Sequence, residues 1–570
     1  MDSGTTRAIV LAVFAIAVAS AVLLTGGGPT VFLNGERLEG LEVISTPRGH
    51  SVPLKEAIRL FGAGVKSDQN GGFLVEGGKT DSSYISAGEL TKSGNRYFVD
   101  LRTLIQNLGG KVGGDDKRIS VELPPSKLVS ASARPGEISL RFEKYASFSR
   151  TTRGSNGVEF KFFNVEKGNL REVIELPKDY SYVKAARLLE RRDGQLILHL
   201  EYREGMSPAV KTTRGESGFH FNVELKPPEK DGDLPAPLKP GRGEFSYNRT
   251  QLWAAGSSHT IHYLAVSGWR ENYRLLPVIP EGEVCRGAKL PEMVRDNFGV
   301  AGINANFFDT SSYTPIGLLI KDGKLLSRDW GNRAAVGIDY FGRLKFFRPE
   351  VDLFLSTPIE KITIQGLNRP LGDDDLVAYT AEYGKRLTVK GSSIFLTLND
   401  GKVLSRSSRP PVYIGPEQTV VVATGDKLKE IQGINRGDAA KYEWRMEPFV
   451  PLLMGAVSAG PLLVKNGENV LDLAEENFTK ESNLVRSRAR RSVLATTADG
   501  NLLFIVVSDG GIGLEDLPSL LLKSGLNIEN AIAFDGGSSA GVIYRDGVNY
   551  RSVGGNRRIP VGLVLVSKSQ

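Results

Sequence analysis

Residues 227–243 read PPEKDGDLPAPLKPGRG, with five prolines, several charges and three small or branched apolar side chains. Proline fixes φ and lacks the amide hydrogen, so this stretch cannot continue a helix or sit inside a sheet. It reads as an extended linker. A chain of 570 residues divided in this way cannot close around one core. At about 150 residues per domain, three or four bodies are expected, and 40% hydrophobic with 24% charged residues is ordinary globular material for them.

The chain opens MDSGTTRAIVLAVFAIAVASAVLLTGGG, with Arg7 before an apolar run from Ala8 to Leu24 broken only by Ser20. That run is short for a spanning helix of about 20 residues and long for a signal core of roughly 7–15. Small residues at Ala17, Ala19 and Ala21 suit cleavage. Residues 1–28 are therefore expected to be a signal peptide or an N-terminal membrane anchor, which places the rest outside the cytoplasm. A buried helix fits poorly, because the run has no polar face. Cys285 is the only cysteine, which removes internal disulfides and four-cysteine metal sites. The net charge of +7 comes from 72 basic and 65 acidic residues, interspersed and without long basic blocks. Nucleic acid is not the expected partner; an anionic envelope polymer or membrane surface suits such a charge.

Two internal repeats precede the linker. SVPLKEAIRLFGAGVKSD, from Ser51, returns 47 residues downstream as FVDLRTLIQNLGGKVGGD, so that Val52 matches Val99, Leu54 Leu101, Ile58 Ile105 and Gly62 Gly109. Each copy predicts a short amphipathic helix ended by glycine and leading into a strand, which makes a small α+β module at about 30–123. Further on, GEISLRFEKYASFSRTTRGSNGVEFKFF at Gly136 and GQLILHLEYREGMSPAVKTTRGESGFHF at Gly194 alternate apolar and polar residues around Thr151–Gly154 and Thr212–Gly215. Period-two alternation predicts half-buried antiparallel strands over 125–226. Both Thr-Thr-Arg-Gly copies read as hairpin turns rather than anion sites.

After the linker, 245–570 reads as one large mixed domain, and it contains three stretches able to carry chemistry. The first is a helix around Pro291–Phe298, then a strand that delivers Asn304-Ala305-Asn306-Phe307-Phe308-Asp309 into a loop. Asparagine amides offer donor and acceptor together, and the rings can stack on a sugar. The second runs from Arg486 through Arg488, Arg490 and Arg491-Ser492 to a buried strand ending in Ser508-Asp509-Gly510-Gly511, with a helix around Leu514–Leu521. The third is AIAFDGGSSAGVIY, where a strand gives Asp535 to a Gly536-Gly537-Ser538-Ser539 turn, followed by Arg557 and Arg558 before the last strand.

Gly537-Ser538-Ser539-Ala540-Gly541 spells the G-x-S-x-G elbow of serine hydrolases. There the histidine follows the serine, yet His50, His199, His220, His259 and His262 all precede Ser539. His259 and His262 also fall on a strand-like run, where a spacing of three sends them to opposite faces. A phosphate cradle fits better: consecutive backbone N–H groups make an anion nest, and arginines from Arg491, Arg557 or Arg558 can clamp phosphate. Carboxylate, arginine and asparagine without histidine or cysteine suit cleavage at a sugar anomeric carbon bonded to phosphate. The phosphoester leaves as a stable anion, so charge stabilisation matters more than a strong acid, and one carboxylate suffices as base or nucleophile.

These motifs, as an ordered set over roughly 260–567, resemble the phosphodiester glycosidase family. Asn304–Asp309 with Pro315-Ile316-Gly317, Gly460–Val464, Arg491-Ser492, Asp509-Gly510, Asp535–Ser539 and Arg558 carry the likeness. Serine stands at 492 where the family has threonine, Arg490 where proline is frequent, and Gly511 where arginine is frequent, which removes one phosphate or substrate contact. The resemblance implies Asp535 as the leading catalytic carboxylate, with Asp309 and Asp509 as alternatives. Arg491 and Arg558 would hold phosphate, with Ser492 beside them. Asn304 and Asn306 would hold sugar or phosphate oxygens, and Gly536, Gly537 and Ser539 a backbone anion site. No cofactor is implied, although three aspartates round a divalent ion would make a phosphodiesterase instead. A silent scaffold that binds anionic glycan through the same pocket is the other alternative. The module at 30–123 resembles the copper amine oxidase N-terminal-like domain, with only His50 for a metal, and implies a stalk. That at 125–226 is similar to envelope-docking AMIN modules. The expected class is thus a multidomain α+β protein whose C-terminal domain is mixed α/β, exported and acting on an envelope glycan or exopolysaccharide.

Overall fold

The computed structural model describes residues 29–568, apart from 48, 68–72, 77–82, 94–95, 135–136, 154–155, 178–182, 192–193, 204–206, 216–217, 227–244, 329–330 and 480–482. The leader at 1–28, the linker at 227–243 and Gly154 of the first Thr-Thr-Arg-Gly copy lie outside the described residues. The chain divides into two compact units, Met1–Pro228 and Glu229–Gln570.

In the first unit the 47-residue repeat becomes a local two-fold. Helices α1 (Leu54–Leu60) and α2 (Leu101–Asn107) are its equivalent elements. The strands that lead into them pair antiparallel with Val52 directly opposite Val99, the two residues that match in sequence. Both are essentially fully buried, so the repeat closes on itself through a shared pair rather than as two separate beads. Asp100 caps α2 through the Thr103 N–H at 2.8 Å. Gly62 ends α1 at φ 73°, and a Cβ there would fall 2.4 Å from the Phe163 carbonyl oxygen, so only glycine fits.

Residues 126–226 form two antiparallel-rich sheets around a core in which Phe142, Phe160, Phe162 and Phe221 are completely buried. The rings of Phe162 and Phe221 meet edge to face at 4.9 Å. Arg153 closes one hairpin through its N–H to Gly157 O at 2.8 Å, and Gly215 pairs with Gly218 at the tip of the other.

Two of the sheets of the second unit carry the site. The strands that matter are β1 (Phe245–Ala254), β2 (Ser257–Val266), β3 (Tyr273–Val278), β4 (Gly299–Asn304), β5 (Leu462–Lys465), β6 (Ala489–Thr497), β7 (Leu502–Ile512), β8 (Ile528–Phe534), β9 (Gly541–Asp546), β10 (Asn549–Gly554) and β11 (Gly562–Ser567). One sheet runs β1-β2-β7-β6-β8-β5 with a short edge strand at Glu468–Asn469, and the other runs β3-β11-β4-β9-β10. A core containing Leu264, Leu494, Val506 and Phe534 from the first sheet and Ile303, Val542 and Leu563 from the second fills the space between them. Helix α3 (Leu290–Asp296) packs outside the second sheet and α4 (Leu517–Leu522) outside the first. Because the first sheet is covered on both faces, its strands read as continuous apolar runs such as Leu502–Val507.

This architecture corrects the expected class. Strands hold 54% of the described residues and helices 10%, so the protein is β-rich and not α+β. All pairings within both main sheets of the second unit are antiparallel, which also removes the mixed α/β description. The helical signals were real but stand for two turns: α1 to α3 have seven residues each and α4 six. Two turns cannot cover a sheet, so strand-on-strand packing makes the cores. Among the described residues no helix is long and apolar enough to cross a membrane.

Candidate active site

Antiparallel register gathers the three sequence stretches at one end of the two sheets. Across the first sheet His262, Val506, Ser492 and Phe534 lie in one row, so the residues just beyond them, Ser508, Arg491 and Asp535, share an edge. Asp535 leaves β8 with its N–H bonded to Ala305 O at 3.0 Å and its carbonyl accepting Asn304 Nδ2 at 2.7 Å.

Asn304 is the knot of this edge. Its Oδ1 accepts the Ser492 hydroxyl at 2.6 Å and the Gly541 N–H at 3.0 Å, so one amide ties β4, β6, β9 and the Asp535 loop. Asn304 is 1% exposed and Ser492 fully buried, so both position the loop from beneath. Asn304→Ala leaves a hydroxyl, an N–H and a carbonyl unpaired in the interior, each costing about 1–3 kcal/mol. Its melting temperature should fall well below that of the parent.

The glycine and serine turn serves the Asp535 carboxylate itself, which accepts from the Gly536 N–H and the Ser539 hydroxyl. Gly537, at φ 61°, donates its N–H to Arg490 O at 2.8 Å. Ser539 is 1% exposed while Asp535 is half-buried. Burial pushes the Asp535 carboxyl up to about 6, against the downward pull of Ser539, Arg557, Gly536 and Arg491.

Four arginines surround this edge and are used differently. Arg491, 3% exposed, donates Nε to Ile512 O and Nη2 to the carbonyls of Leu484 and Ser487, while its charge favours the Asp535 carboxylate. Arg557 also acts on Asp535, and its guanidinium lies 5.3 Å over Phe308. Phe308 stacks on Tyr313 at 5.8 Å and 10°. Arg490 reaches Gly554, where a Cβ would come 3.1 Å from its Nη1, and among the described residues its buried Nε has no hydrogen bond. Arg558 instead turns its fork onto the Gly287 carbonyl at 2.9 and 2.6 Å. Both arginines are exposed, and Arg557 precedes the two-residue strand Arg558–Ile559 at a bend, so what separates them is their partners: Phe308 and the Asp535 charge for Arg557, the Gly287 carbonyl for Arg558.

The remaining sequence candidates are placed elsewhere. Exposed Asp309 accepts the N–H and hydroxyl of Ser311 and of Ser312, which hold its carboxyl down to about 2 and tie it into its own turn. Asn306, 2% exposed, gives Nδ2 to Leu318 O at 3.1 Å and keeps a buried Oδ1 without a partner. Asp509 belongs to β7, and its side chain lies outside the described residues. Among the described residues no three His, Cys, Asp or Glu side chains gather as a metal site. Histidine reasoning missed one chain of contacts on the same edge: His262 bonds Tyr247 OH at 2.8 Å and Ser508 Oγ at 3.0 Å.

Residues 392–566 match the family model of phosphodiester glycosidases. No curated protein matches the chain. Among solved structures, a hypothetical protein from Synechocystis is 16% identical, with a TM-score of 0.50 over 94% of this chain and 98% of that one, a likeness of fold. A Burkholderia pseudomallei protein described as exported is 16% identical, with a TM-score of 0.46 over 74% of this chain and 96% of its own. The catalytic domain of zebrafish N-acetylglucosamine-1-phosphodiester alpha-N-acetylglucosaminidase is 14% identical, with a TM-score of 0.32 over 63% and 88%.

Proposed function

We propose that the unit following the linker hydrolyses the bond between a sugar anomeric carbon and phosphate in a glycosyl phosphodiester. The observation that carries this reading is one half-buried carboxylate, Asp535, raised to about 6 and facing the charges of Arg557 and Arg491, in a chain whose residues 392–566 match phosphodiester glycosidases. Above pH 6 Asp535 is ionised and activates water or attacks the anomeric carbon. The C–O bond breaks with its electron pair on the departing phosphomonoester; acting as base, the carboxylate takes the proton of the water that adds to the sugar, and acting as nucleophile, it forms a glycosyl ester that water then cleaves to free the sugar and the carboxylate. Arg557, free of hydrogen bonds to described residues, and Arg490, which reaches Gly554, stabilise the charge that develops on the leaving phosphate. Arg491 fixes the loop and adds its charge from below.

The apolar segment Ala8–Leu24 supports an extracytoplasmic location, and an envelope glycan or exopolysaccharide is the substrate we assign there. The modules at 30–123 and 125–226 act as attachment, a role supported by their sequence resemblances alone. One feature favours a binder without turnover. Gly511 sits at φ 60° with a Cβ position only 2.5 Å from Ala489 N, so the arginine frequent at this position in the family has no room on this backbone.

The test is hydrolysis of a synthetic sugar 1-phosphate methyl diester by the full chain, followed by phosphorus NMR. Appearance of methyl phosphate is the expected result, and Arg557→Ala should lower kcat/KM about 100-fold. Binding without product from the parent protein selects the scaffold reading.

A further inference from the structure

Phe307 and Phe308 form a two-residue strand paired with Pro315–Ile316, so their rings point to opposite sides. Each ring holds one arginine. Phe308 carries Arg557, and Phe307 carries Arg333 at 5.1 Å. Arg333 is also 4.2 Å over Phe478, whose ring meets Phe307 at 6.2 Å and 64°. The Arg333 guanidinium is thus fixed between two rings. Among the described residues it has no hydrogen-bond partner, and its Nε is buried.

Its backbone sits at the same edge as Asp535. Arg333 O accepts the Ser458 hydroxyl at 3.2 Å, and its Cβ lies 3.6 Å from the Cβ position of Gly460. The next residue, Pro461, accepts the Ala533 N–H at 3.0 Å, two positions before Asp535. On the other flank, Phe307 is two positions after Ala305, the acceptor of the Asp535 N–H. Behind Arg333, buried Glu476 supplies a counter-charge but is hydrogen-bonded to Ala334 N, Leu462 N and Arg348, not to Arg333.

We propose that Arg333 binds a second anionic group of the substrate, on the opposite side of the Phe307-Phe308 strand from the scissile phosphate. A planar fork held by aromatic faces with its donors unfilled matches phosphate or carboxylate. A buried donor without a partner is costly, so a ligand that supplies an acceptor is favoured. The substrate class is then a polyanionic glycan, one that carries a phosphate or uronate beyond the bond that is cut. This inference rests on the phosphodiester reading of the Asp535 edge.

Affinities of the full chain for methyl phosphate, for α,ω-alkane bisphosphates of increasing length and for ω-carboxyalkyl phosphates test it by calorimetry. The parent should bind at least one doubly anionic probe about tenfold more tightly than methyl phosphate, and the better series identifies the second group. In Arg333→Gln, which keeps the stem between the rings, that ratio should fall to about one, and Arg333→Lys should restore part of it. A ratio near one in the parent, a ratio unchanged in Arg333→Gln, or equal weakening of all probes that Arg333→Lys does not relieve overturns the proposal. The phosphodiester reading fails separately, if Arg557→Gln binds methyl phosphate as the parent does.

Discussion

Asp535→Asn should lower turnover of a glycosyl phosphodiester by about a thousandfold while making the protein more stable at neutral pH. Both effects come from one cause. In the folded chain the Asp535 carboxyl holds its proton up to about pH 6, whereas an unfolded aspartate releases it near 3.9. Between these values the folded state binds more protons, so the stability this group contributes is complete below about pH 4 and is lost as pH rises through 6. Asparagine does not ionise and escapes the loss. At pH 8 the variant should therefore gain up to about 3 kcal/mol over the parent, shrinking to nothing near pH 3.5. Urea unfolding at the two pH values reads this directly, and a pH-independent difference would contradict it. In the parent, kcat/KM should rise with pH through the same value of about 6, because the ionised form is active.

The second large effect is on stability alone. Glu476 is fully buried and accepts Ala334 N at 2.8 Å, Leu462 N at 2.9 Å and Arg348 Nε at 3.3 Å. Burial raises its carboxyl pKa, and these partners oppose that. Glu476→Ala would strand two buried N–H groups and leave Arg348 with Glu475 as its remaining partner, and each unpaired buried N–H costs about 1–3 kcal/mol. Thermal unfolding should show a large loss, with Glu476→Gln in between because one acceptor oxygen remains. A drop no larger than that of an exposed substitution such as Glu468→Ala would mean that Glu476 does not hold this corner. The corner lies beneath Arg333 and Gly460, where a Cβ would meet Glu476 Oε2 at 2.3 Å.

Local patterns made the two-turn helices, the 47-residue repeat and the Asp535 turn legible, because each depends on neighbours within a few residues. The repeat even named the residue pair on its two-fold, Val52 and Val99. Class was misjudged because a short helix and a long one start with the same signals, and only tertiary packing decides how much sheet they cover. The site was legible as a set of residue types and much less as roles. Asn304 resembles a ligand-binding amide in sequence, yet its partners are 188, 231 and 237 positions away, where no local period reaches. Arg557 and Arg558 are neighbours in an arginine pair, and only partners distant in sequence, Phe308 for one and the Gly287 carbonyl for the other, separate them. Arg333 carried no motif at all. It also lies, with Asn304 and Asn306, outside the 392–566 stretch that matches the family, since aromatic support for a guanidinium is a property of three distant segments.

The place of β11 sets the timing of assembly. It lies between β3 and β4, pairing Val278 and Asn304 alike with Gly562, so the second sheet remains split until the last strand of the unit is made. A chain emerging N-terminus first from the ribosome completes the edge that holds Asp535, Arg557 and Asn304 only near the end of its synthesis. The sheet is then joined in one late step, and a chain stopped anywhere before Gly562 lacks the strand that links Val278 to Asn304.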